Sequence, residues 1–99
     1  MIEFTACEKN AIIALLIEIM QADTIIHPAE EEYLESKIKE LSFDIKTYNP
    51  IDFTTCVMCV KNMTSVQRAT VHNILVGMAE ADGFVDPREI ELIKQLSLM

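Results

Sequence analysis

The stretch Ala81-Asp82-Gly83-Phe84-Val85-Asp86-Pro87-Arg88-Glu89 decides how the rest of this chain is read. Asp86 is a helix cap, Pro87 suits the first helical position, and Glu89 stands three residues past the cap, where its carboxylate reaches back to the cap N–H. Upstream, Ala81-Asp82-Gly83 ends a preceding helix, the glycine taking the left-handed conformation that closes such ends. The segment therefore predicts helix, acidic turn, helix. Shifted by 59 residues, it lies over Ala22-Asp23-Thr24-Ile25-Ile26-His27-Pro28-Ala29-Glu30. Ala22, Asp23, Pro28 and Glu30 are then matched by identical residues, as are Leu16 with Leu75 and Glu32 with Glu91. Ile25-Ile26 falls on Phe84-Val85, and Tyr33-Leu34 on Leu92-Ile93. So many matches in one register make an internal repeat, the signature of a fold built from duplicated supersecondary units.

Outward from these turns the pattern is helical. Thr5 with Glu8 has capping-box spacing and opens a helix to about Asp23, apolar nearly all round, as a central core helix would be. A second helix starts at Pro28 and runs to about Leu41, with Tyr33, Leu34, Ile38 and Leu41 inward and Glu31, Glu32, Glu35 and Lys39 in water. Residues 42–52 are the least periodic, with room for one helical turn between Asp44 and Tyr48 before Asn49-Pro50. Phe53 to Asn62 is a short buried helix whose Thr and Val content leaves a strand open. Thr64 with Gln67 caps a helix to about Asp82, striped by Val71, Ile74, Leu75 and Met78. The last helix, from Asp86 to the C-terminus, turns Ile90, Ile93 and Leu96 inward. The expected fold is all-α: one domain over 1–99, a compact helical bundle of two pseudo-repeated helix–acidic turn–helix units.

Composition agrees. With 51% apolar residues the chain can build one core, and with 2 Gly and 3 Pro it lacks the turn residues of a sheet protein this size. Sixteen acidic against 8 basic residues give a net charge of −8, a surface that repels phosphate backbones and excludes nucleic acid as the expected partner. The run Ala11–Ile17 is too short to span a bilayer and ends at Glu18, and no basic leader precedes it, so a cytoplasmic protein is expected. Cys7, Cys56 and Cys59 are an odd set, expected reduced.

The Ala-Asp-Gly-x-Val-x-Pro-x-Glu pattern of residues 81–89 resembles the signature of the TerB-like family, named for the tellurite-resistance protein TerB. The resemblance covers about Ala11 to Leu96; in the first copy Thr24 replaces the glycine and His27 sits at the cap. It implies an all-α bundle carrying the motif twice, with acidic motif residues that engage metal ions, in bacterial stress responses and without established catalysis. Carried over by position, the candidate metal ligands are Asp82 and Glu89, with Asp23 and Glu30 in the first copy. Another protein is the expected partner.

The residues themselves leave two readings of these turns. Capping alone accounts for Asp82, Asp86 and Glu89. Alternatively, Asp82, Asp86 and Glu89, with Glu80, form an oxygen-rich site for a hard divalent cation, Mg²⁺ or Ca²⁺, held weakly, on the order of 10⁻⁴ M. Carboxylate count and Gly83 favour the second turn over the first. A rival is a degenerate EF-hand, with Glu80, Asp82, Asp86 and Glu89 at loop positions three, five, nine and twelve; position one then falls on Met78, and on Ile19 in the first copy, neither of them a ligand. Cys56-Val57-Met58-Cys59 is a lone CxxC in an apolar run, expected as core rather than a zinc or redox site. With no Ser-His-Asp order or Gly-rich phosphate loop, an enzyme is not expected.

Overall fold

Short-range capping starts helices in this chain, and tertiary burial decides how far they are kept. A computed structural model describes residues 3–21, 28–81, 91 and 94. Among them the chain forms four α-helices: α1 Ala6–Gln21, α2 Pro28–Glu40, α3 Phe53–Lys61 and α4 Ser65–Glu80. A 3-10 turn occupies Ile45–Thr47, and no strand occurs among the described residues. The protein is an all-α bundle. Both acidic turns (22–27 and 82–90) and most of the expected last helix lie outside the described residues, and so does the pairing of the two repeats.

The two capping boxes expected among the described residues form, while Asp86 with Glu89 lies outside them. Glu8 N donates to Thr5 Oγ1 at 3.1 Å while Thr5 N donates to Glu8 Oε1 at 2.8 Å. Thr64 and Gln67 repeat the reciprocal pair at 3.1 and 2.9 Å. The segment left open between helix and strand is a helix, α3, because Asp52 caps it: its carboxylate accepts from Thr55 N at 3.3 Å and from the Thr55 hydroxyl. That hydroxyl bond, ahead of the backbone ones, holds the exposed Asp52 carboxyl below its usual range. Once helical, α3 sets Cys56 and Val60, four apart, on one buried face.

The core is built on α1. Ala11 to Leu16 are buried without a break, followed by Ile19 and Met20, so no face of its middle meets water. The other three helices all pack against α1. From α4 come Val71, Leu75 and Met78, with Ile74 partly buried, as the stripe predicts. Helix α2 contributes Tyr33, Leu34 and Ile38, with Leu41 just past its end, all partly buried, and exposes Glu31, Glu32, Glu35 and Lys39. Each large aliphatic side chain taken fully from water contributes about 1.5–3 kcal/mol, which makes α1 the main source of stability. Helix α2 carries a Lys37–Glu40 ion pair, Nζ to Oε2 2.8 Å, with Lys37 also over the Tyr33 ring at 5.1 Å; the exposed Glu40 end keeps the pair's contribution small.

Two backbone features were invisible in the periodicity. Helix α2 ends in a Schellman motif: Phe43 N donates to Ile38 O and Ser42 N to Lys39 O, each at 3.0 Å, with Ser42 at φ 54°. The second is the seat of α2 on α4. Tyr33 Oη donates to Ile74 O at 2.7 Å, and the ring lies over Gly77, where a Cβ would overlap the phenolic oxygen and stand 2.8 Å from Cζ. Gly77 lies inside α4, where glycine ordinarily weakens a helix by about 1 kcal/mol relative to alanine; close approach of Tyr33 requires it.

Both features give substitutions of predictable sign. Ser42→Gly removes a left-handed L-residue and should raise unfolding stability by about 0.5–1 kcal/mol in urea denaturation. Gly77→Ala should do the reverse of its helix propensity and destabilise by about 1–3 kcal/mol, because Tyr33 is displaced. In a Tyr33→Leu background the Gly77→Ala penalty should largely vanish, a coupling read from the double-mutant cycle.

Candidate functional site

Third helical positions set the comparison. Glu8 in α1, Gln67 in α4 and Glu30 in α2 all occupy the position from which a side chain can reach back to its own cap. Glu8 and Gln67 do so. Glu30 does not: it is 1% exposed, and neither carboxylate oxygen has a hydrogen-bond partner. It is the only buried charged residue among those described. Placing an ionised carboxylate in the interior without a partner costs several kcal/mol. The α2 dipole returns about 0.3–1 kcal/mol at this position, too little to offset it. A helix start that needed only a cap would leave this side chain in water, as α1 leaves Glu8 half-exposed.

The surroundings of Glu30 follow from the helix packing. Tyr33, one turn further along α2, is seated on Ile74 and Gly77 in the last two turns of α4. The start of α2 therefore lies beside the end of α4, where Ala81 leads into the second acidic segment. Of the expected ligands, Glu30 and Glu80 fall among the described residues; Asp23, Asp82, Asp86 and Glu89 lie outside them. Glu80, in the last turn of α4, is exposed and does not share the burial of Glu30. Among the described residues no three of His, Cys, Asp and Glu come together at metal-binding range. Sequence reasoning had ranked Glu30 among the lesser candidates, behind Asp82 and Glu89. What raises it is burial, which no local pattern encodes.

The cysteines divide by environment. Cys56 is buried in the core, with its thiol directed at Ile51 O, 4.0 Å away, and burial chiefly, then the charge on Asp52, pushes its pKa up from 9.0 to about 11. Cys59 is partly buried and also raised, first by burial and then by Cys7 and Glu8. Cys7 is exposed; all three are free thiols. A thiol held that high is a poor nucleophile at neutral pH, which counts against redox chemistry at the CxxC. Tyr48 beside Cys56 is likewise raised by burial, then by Cys56 and Glu18. His72 is half-buried at the edge of the α4 stripe. No described helix is long and apolar enough to cross a membrane.

No family model, curated protein or solved structure matches this chain. The resemblance to TerB-like domains stands on the motif residues of the two acidic segments alone.

The thiol environments set an order of reactivity. With iodoacetamide at pH 8, Cys7 should be alkylated first and Cys56 last, since raising a thiol from 9.0 to about 11 cuts its thiolate fraction about 100-fold. Peptide mapping of a time course checks this; early alkylation of Cys56 in folded protein would contradict its core placement.

Proposed function

We propose that this chain is a non-enzymatic, TerB-like helical module that takes up a hard divalent cation, Mg²⁺ or Ca²⁺, where α2 begins beside the end of α4. The observation that carries the reading is Glu30, a sealed carboxylate with both oxygens unpartnered. A divalent cation removes that cost directly, because carboxylate oxygen is the ligand such ions prefer and a buried anion is a pre-formed half of the site. The acidic motif residues Asp23, Asp82, Asp86 and Glu89 are the natural co-ligands by sequence. In this reading Glu30 of the first turn anchors the ion, in contrast to the preference that carboxylate count alone gives the second turn. The resemblance supports the wider assignment: a cytoplasmic protein of a bacterial stress response, of the tellurite-resistance type, acting through a partner protein. The exposed acidic face of α2, with Glu31, Glu32 and Glu35, suits a basic partner surface.

Thermal melts test the cation site. Starting from chelator-treated protein, Mg²⁺ or Ca²⁺ at about 100 times a dissociation constant on the order of 10⁻⁴ M should add about 2.7 kcal/mol. For a domain of this size that is a rise of roughly 10–20 °C. Glu30→Gln should abolish the rise and, in chelator, melt above the wild type, because the uncompensated charge is gone. No cation response in the wild type, or an unchanged one in Glu30→Gln, would overturn the proposal. Calcium selectivity coupled to a helix-opening transition would move the assignment to the EF-hand-like alternative.

A further inference from the structure

Along α2 the fastenings come after the buried carboxylate, not at it. The helix ends in the Schellman bonds of Ser42 and Phe43, and its middle is tied to α4 by Tyr33 Oη donating to Ile74 O at 2.7 Å. The phenol occupies the space over Gly77, and Lys37 Nζ stands 5.1 Å from the ring centroid. Glu30, three residues before Tyr33, shares its face of the helix. Pro28 and Glu31 in that first turn are exposed and Ala29 is half-buried, so solvent adjoins the turn that buries Glu30. A small outward tilt of α2 would return the carboxylate to water and recover its hydration. Neither carboxylate oxygen is bonded, so nothing at Glu30 itself opposes that tilt. Leu34 adds apolar contact with the core but no directional bond. The opposing element is the seat of Tyr33, one turn on.

We infer that Tyr33 is the positioning residue of the cation site: its seat on Ile74 and Gly77 holds the Glu30 carboxylate in the interior, and so sets how tightly Mg²⁺ or Ca²⁺ is taken up. This role rests on the cation reading of Glu30 given above, and Tyr33 acts through Glu30 rather than on the ion. Its hydroxyl keeps α2 docked, and in the docked arrangement the carboxylate is already stripped of water and offers a pre-formed ligand. Every molecule with α2 tilted and Glu30 hydrated is lost to binding, because apparent affinity falls with the competent fraction. Without a cation, the unpaired charge opposes the seat and makes docking marginal, so loss of the hydroxyl bond shows directly in the affinity. The coupling is reciprocal: a cation on Glu30 removes the charge that strains the seat, and its uptake locks α2 onto α4.

Calorimetric titration of the chelator-treated full chain with Mg²⁺, and separately with Ca²⁺, reads the affinity. Tyr33→Phe keeps the ring and removes the hydroxyl, and it should weaken binding roughly 2- to 10-fold, the worth of one such hydrogen bond. Gly77→Ala should weaken it as well, and the two together by less than the product of their separate effects, because both act on one seat. Val60→Ala opens a cavity on the buried face of α3; it should lower stability yet leave the affinity unchanged, which separates positioning from stability. A second readout needs no cation. In chelator, Tyr33→Phe should lower the urea midpoint less in the wild-type background than in Glu30→Gln, because loosening the seat lets the buried charge out. Absence of binding to the wild type would overturn the cation reading and this role with it. Wild-type affinity in Tyr33→Phe, or equal midpoint losses in the two backgrounds, would overturn the role of Tyr33 alone.

Discussion

Helix α1 imposes the geometry on everything else. Six consecutive residues, Ala11 to Leu16, are removed from water, which an amphipathic helix on a surface never achieves. Such a helix is stable only if other elements cover all its sides. Helices α3 and α4 take the broader share, and α2 closes the remaining side. The closing is exacting. Tyr33 settles onto α4 only because Gly77 has no side chain, and its hydroxyl finds an acceptor in Ile74 O. Burial pushes the Tyr33 phenol above its ordinary value, so it remains a donor well past neutral pH. The helix-weakening glycine is retained where a methyl group would push the covering helix off the core.

This same seating explains how an acidic side chain comes to lie in the interior. Once Tyr33 is fixed on the last turns of α4, the turn of α2 before it is carried inward, and Glu30 goes with it. Electrostatics then leaves a debt at one end of an otherwise apolar bundle, which a hard cation would settle. The corner where α1 starts and α3 passes to α4 is instead tied by polar contacts, with Gln67 donating to Glu3 O and Glu8 Oε1.

Much of this architecture was legible in residue order, because it rests on interactions between residues three or four apart. The capping pairs Thr5–Glu8 and Thr64–Gln67, the stripe of α4 and the inward and outward faces of α2 all follow from helical spacing. Helix α3 is the ambiguous case: its Thr and Val content suits a strand, while Asp52, three residues before Thr55, supplies the cap that decides for a helix. The Ser42 turn carried no signal, since a left-handed helix end is ordinarily announced by glycine. The candidate site was legible only as a set of residue types. Acidic residues at a helix start fit capping as well as metal binding, and nothing within nine residues of sequence separates the two.

What the chain determines by itself, then, is where helices begin, which faces they hide and that acidic residues recur at matched positions in two segments. Those properties depend on local backbone satisfaction and on periodicity, and they survive without knowledge of neighbours. Tertiary structure decided that Glu30 lies in the interior while Glu8, at the same helical position, bonds back to its cap. It also decided that Gly77 is a seat rather than a defect, and that Cys56 and Cys59, three residues apart, occupy different environments. Each of these depends on which distant side chain stands opposite. Among the described residues that is set by how three helices pack against α1, a constraint written in no single stretch of the chain.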